Sequence, residues 1–139
     1  MVKIISEERR GDLGKNEDQF FYKENKDIIL AGVFDGATAL DDLSYFQNIG
    51  KTPGRLAAEI ARKILEEASF EVDLRELVSQ INIALRNKAD DMPISADLKS
   101  ELFTTVGLIA RLDKNKHELS FARLGDVTLV VIPQEGLGK

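Results

Sequence analysis

The run Ile28-Ile29-Leu30-Ala31-Gly32-Val33-Phe34 constrains this chain more than any other stretch. It is the most apolar segment and shows no alternation of polar and apolar residues. Asn25-Lys26-Asp27 precedes it and Asp35-Gly36 follows it, both turn-forming in composition. A short apolar run bounded in this way reads as a strand covered on both faces. Such a strand needs partners above and below, so the fold must be layered. The chain has 139 residues. A chain of that size buries roughly 70% of its unfolded surface, and residues 1–139 read as one domain.

The partners are legible on either side. Val2–Ser6 reads as a short strand, and Glu7–Asn16, with Gly11 and Gly14, as a loop. Gln19–Lys23 (QFFYK) reads as a strand, because aromatic side chains suit a half-buried pleated surface. Asp35–Lys51 is long and irregular, the length of a functional or mobile connection. Thr52-Pro53 then opens a helix, with Thr as N-cap and Pro at the first helical position. Leu56, Ala57, Ile60, Ala61, Ile64, Leu65 and Ala68 form its apolar face. A second helix begins at Asp73-Leu74-Arg75-Glu76, which resembles a capping box. Leu74, Leu77, Val78, Ile81, Ala84 and Leu85 are its stripe. Asp90–Lys99 is a polar connection. Phe103–Leu112, Glu118–Arg123 and Val127–Ile132 read as strands, joined by Asp113-Lys114-Asn115-Lys116 and by Gly125-Asp126. Leu119, Phe121 and Arg123 fall on one face of the second of these, Ser120 and Ala122 on the other. The order of strands, two helices, then antiparallel strands is that of an α+β fold with helices packed on a sheet or sandwich.

Composition narrows the function classes. The absence of Cys removes disulfides, thiolate nucleophiles and zinc–thiolate sites, and it fits a reducing cytosol, so a cytoplasmic location is expected. No run approaches the roughly 20 apolar residues of a membrane helix. The net charge is -5 and no basic stripe is present, so nucleic acid is not expected as a partner. The lone His117 sits in a hairpin turn among Lys and Glu, where a solvated turn residue is the ordinary reading.

Acids recur at the ends of apolar strands: Glu17 and Asp18 before QFFYK, Asp35 after Ile28–Phe34, and Asp126 between two strands. Taken singly, each is ordinary turn chemistry. If the strands align, the acids converge at one end of the sheet. Clustered carboxylates repel and raise one another's pKa unless a cation neutralises them. Hard divalent ions take such oxygen ligands.

Asn16-Glu17-Asp18, Gly32-Val33-Phe34-Asp35-Gly36, Phe103-Thr104-Thr105-Val106-Gly107 and Arg123-Leu124-Gly125-Asp126 occur in an order that resembles the metal-dependent serine/threonine phosphatases of type 2C, the PPM family. The resemblance implies an antiparallel β-sandwich flanked by helices. It implies hydrolysis of phosphoserine and phosphothreonine in proteins by water activated by two or more Mn²⁺ or Mg²⁺ ions, with no covalent intermediate. Asp35 would bridge two ions and Gly36 would offer its carbonyl to one. Glu17 would ligate directly or through water, with Asp18 beside it. Asp126 would help hold a further, looser ion, and Thr104 and Thr105 would support the site from their strand. The phosphoprotein is the implied substrate.

Three departures accompany the match. Asp35-Gly36 continues as Ala37-Thr38-Ala39-Leu40-Asp41-Asp42 rather than with the family's short His-Gly or Gly-Gly segment; Asp41 and Asp42 read as solvated. The family's phosphate-binding arginine lies a few residues before the first acidic motif, where Leu13 stands; Arg9 and Arg10 are further upstream, either phosphate ligands or a loop pair in water. The family domain is also longer, and its second half carries further strands and two more metal-binding aspartates. The expected fold is therefore incomplete at its C-terminus, with activity weak or absent in these residues. The alternative is a non-catalytic phosphatase-like binding or interaction module. Open strand edges would invite self-association.

Overall fold

The computed structural model describes residues 16–37, 44–93 and 104–132. Four strands, β1 (Asp18–Glu24), β2 (Ile28–Ala37), β3 (Thr104–Asp113) and β4 (Glu118–Leu124), form one antiparallel sheet in the order β1-β2-β3-β4. Helices α1 (Ser44–Ile49), α2 (Pro53–Glu67) and α3 (Leu74–Asp91) lie between β2 and β3 in the chain. The α+β class expected from the order of elements holds.

Period-two geometry assigns the faces. Phe21, Leu30, Phe34, Ile109 and Ala122 point to one side and join Ala57, Ala58, Ala61 and Leu65 of α2 and Leu74, Leu77, Ile81 and Leu85 of α3 in the core. Leu30, Leu65 and Leu77 are the largest fully buried side chains, and burial of each contributes about 1.5–3 kcal/mol. The alanines bring α2 unusually close to the sheet. A Cβ on Gly32 would meet Leu65 Cδ2 at 2.6 Å, and one on Gly36 would meet the Gly54 carbonyl oxygen at 2.0 Å. Strand and helix therefore touch backbone to backbone at the end of β2, which only glycine permits.

The helix starts match their chemistry. Thr52 Oγ1 accepts from the Arg55 N–H at 3.2 Å, with Pro53 opening α2. Asp73 Oδ1 accepts from the Arg75 and Glu76 N–H groups at 2.8 and 3.3 Å. The Glu76 side chain instead accepts from Gln80 at 3.1 Å. The connection from α2 to α3 is gripped from the sheet: Lys23 donates to the Glu66 and Ala68 carbonyls and sits 4.8 Å from the Phe70 ring centre, and Arg111 donates to the Val72 carbonyl.

Several sequence expectations are corrected. Among the described residues β2 is not covered on both faces: Ile28, Leu30, Gly32, Phe34 and Gly36 are buried, while Val33, Asp35 and Ala37 are exposed. The strand looked uniformly apolar because its outer face also carries Ile29, Ala31 and Val33. Asp35 and Gly36 are not in a turn, since the β2 ladder runs on to Ala37. Asp35–Lys51 is not wholly irregular, because α1 lies within it, with Phe46 buried, and so short an element shows no periodicity. The helix after Asp73 runs through Asp90 to Asp91, so the connection starts later. Val127–Ile132 joins no ladder among the described residues, and Val130, Val131 and Ile132 are 71%, 61% and 84% exposed. Strand propensity becomes a strand only where a neighbour presents an edge. The expected strand Val2–Ser6, with Arg9, Arg10, Asp41 and Asp42, lies outside the described residues.

Candidate functional site

Register brings the acids together. In the pairing of β1 with β2, Asp18 stands directly opposite Asp35. On its other side Asp35 pairs with Val106 of β3. Side chains directly opposite share a face, so Asp18, Asp35 and Val106 lie on the outer face, away from the helices. The two carboxylates are held there by alternation: Phe34 must point into the core, so Asp35 cannot.

The backbone beneath them is tied on every side. The Gly36 N–H donates to the Glu17 carbonyl at 3.3 Å. Asn16 Oδ1 accepts from the Asp18 N–H at 2.9 Å, which turns the chain into β1. Thr105 Oγ1 donates to the Asp35 carbonyl at 3.0 Å. Arg55 Nη1 donates to the Asn16 carbonyl at 3.0 Å. Gln19, buried in the next position, donates to the Asp18 carbonyl at 2.8 Å.

Asp126 arrives by a tight turn. Gly125 adopts φ 85°, and a Cβ there would meet Val106 Cγ1 at 2.4 Å. The chain leaving β4 thus folds against Val106, the β3 neighbour of Asp35. The Asp35 carboxyl is raised above its usual range, first by partial burial beside the strands, then by the charge and hydrogen bond of Asp18, then by the charges of Asp126 and Glu17. The other three acids named from the sequence therefore all act on Asp35.

Gly36 is placed beside the cluster, buried against Gly54, with its N–H committed to Glu17. Thr105 supports the site as expected, through its hydroxyl; Thr104 Oγ1 reaches the Ala37 carbonyl at 3.5 Å. Arg9 and Arg10, either phosphate ligands or a loop pair in water on the sequence reading, lie outside the described residues. Among the described residues no three His, Asp or Glu side chains gather closely enough to form a ready metal site. The arrangement is a facing carboxylate pair with two further acids in electrostatic range. His117 has φ 53° in the turn after β3, at the opposite end of the sheet, and takes no part.

Sequence reasoning missed Gly54 and Arg55, which join α2 to this end of the sheet. A glycine in the first turn of an otherwise alanine-rich helix was the available signal, because it marks a close backbone approach. No helix among the described residues is long and apolar enough to cross a membrane. No protein-family model, no curated protein and no solved structure significantly matches the chain.

Proposed function

We propose that this end of the sheet binds divalent metal and belongs to a phosphatase-like site of the type 2C kind, acting on phosphoserine or phosphothreonine in proteins. The observation that carries the reading is the register pair Asp18 and Asp35, with Glu17 and Asp126 acting on the same carboxyl. Like charges opposite one another destabilise a sheet unless something offsets them. The donor set is all oxygen, which fits Mn²⁺ or Mg²⁺. Asp35, Asp18, Glu17 and Asp126 would hold such ions, with the Gly36 carbonyl beside them. A bound divalent cation supplies positive charge that neutralises the cluster and, as a Lewis acid, makes water nucleophilic at neutral pH.

The chain's own residues do the holding. β2 fixes Asp35 from both sides through its ladders, Thr105 pins its carbonyl, and the Asn16 turn sets Asp18 opposite it. A preorganised ligand pair binds with less ordering cost than one on free loops. The finer fold in this reading is an antiparallel β-sandwich flanked by helices, with the sheet described as one of its layers. The location is cytoplasmic.

A non-catalytic interaction module is the second reading, favoured by the exposed apolar residues Phe121, Leu124 and Val130–Ile132. Calorimetric titration with Mn²⁺ is expected to show binding that Asp35→Ala abolishes; unchanged binding in the variant removes Asp35 from the site. Hydrolysis of an aryl phosphate, if present, is expected only with Mn²⁺. Robust turnover in chelator would sink the phosphatase mechanism.

A further inference from the structure

Two short segments bear the facing acids, and both are touched by the first turn of α2. Gly54 lies against Gly36, one residue beyond Asp35. Arg55, the next residue, donates from Nη1 to the Asn16 carbonyl at 3.0 Å, one residue before Glu17. Its Nε donates to Glu59 Oε1 at 2.8 Å, and Lys51 holds the other Glu59 oxygen at 2.6 Å. The guanidinium is thus fixed on one side and reaches across with the other.

We infer that Arg55 is a positioning residue that holds the acidic turn at Asn16-Glu17-Asp18 in register with Asp35. Among the described residues β1 is an edge strand of the sheet. Among them its first residues ladder with β2 alone, and a strand end of this kind opens locally at low free energy. Arg55 supplies a tie from the helix layer. It works through the Asn16 carbonyl, the contact that its guanidinium makes on this side. Lys at this position would keep the charge but not the planar fork that serves Glu59 and Asn16 together.

The structural part stands alone, and the consequence for metal affinity rests on the metal reading above. The test compares Arg55→Ala and Arg55→Lys with the wild-type chain by amide hydrogen exchange and by Mn²⁺ titration, with Asp35→Ala as reference. Both Arg55 variants are expected to speed exchange at the Asp18 and Gly36 amides while the Leu65 and Leu77 amides stay protected. Mn²⁺ affinity is expected to fall by about tenfold or more, the usual effect of losing a residue that orients metal ligands. Unchanged exchange at Asp18 and Gly36 overturns the positioning role whether or not metal binds. Faster exchange with Mn²⁺ affinity within about twofold of wild type overturns its relevance to the site. Full Mn²⁺ binding by Asp35→Ala overturns the metal reading itself, and the exchange data then decide Arg55 independently.

Discussion

At the scale of the residue, Asp35 is the group on which the others act. Its carboxyl is raised in the folded chain by partial burial and by Asp18, Asp126 and Glu17. A raised acid favours the fold when protonated, so this contribution is present below the unfolded carboxylate range and is lost as pH rises through the folded value. Glu24 and Asp113, at the far end of the sheet, behave in the opposite sense. Lys114 holds Glu24 below its usual range, and the Lys116 and Asn115 N–H groups do the same for Asp113. Their contribution is present at neutral pH and is lost on acidification through their depressed values. Asp35→Asn is therefore expected to stabilise the metal-free chain at neutral pH by roughly 0.5 kcal/mol, the scale of a solvent-screened charge interaction. The gain should vanish in acid. Denaturant unfolding of both proteins across pH checks this, and a variant less stable than wild type at neutral pH would show that the cluster is not repulsive.

At the scale of the element, the seam between β2 and α2 organises the site. Gly36 and Gly54 leave no room for a side chain, and the obstruction is backbone rather than a movable side chain. Gly36→Ala is expected to cost about 3 kcal/mol, at the upper end of overpacking substitutions, because strand and helix must separate. Urea unfolding measures it; a loss below roughly 0.5 kcal/mol, the range of unremarkable surface changes, would mean that the two backbones are not in contact. The same seam explains why Asp35 is rigid. Its strand continues past it to Ala37 instead of ending in a turn. The two gripping cations, Lys23 and Arg111, act at the other end of α2 and fix the connection to α3. α2 is thus tied at both ends to the sheet it covers.

At the scale of the whole molecule, α2 and α3 pack on the same face of the sheet. The outer face is apolar along Ile29, Ala31 and Val33 of β2 and Leu119 and Phe121 of β4. Phe121 is 57% exposed, and among the described residues β1 and β4 are the edges of the sheet. Open edges beside apolar surface template pairing with another chain. We expect sedimentation velocity to show association that grows with concentration and that Phe121→Lys weakens without loss of fold, since its side chain points away from the core. A stable monomer at high concentration would count against this.

Strands β1 to β4, helices α2 and α3, the helix caps and the order of the acids were legible in the sequence, because periodicity, Thr52-Pro53 and Asp73 act through neighbours in the chain. Reading the acids as one group was also possible, from their recurrence at strand ends. What needed the tertiary structure was every relation across the chain. Apolarity could not tell a strand buried on both faces from one with an open apolar face, since both are written in the same residues. The register that sets Asp18 against Asp35 depends on which residues of β1 and β2 face the helices together. The reach of Arg55 to Asn16 spans 39 positions and has no local signature. Val127–Ile132 has the composition of a strand, yet it joins no ladder among the described residues, and pairing is a property of the fold rather than of the segment.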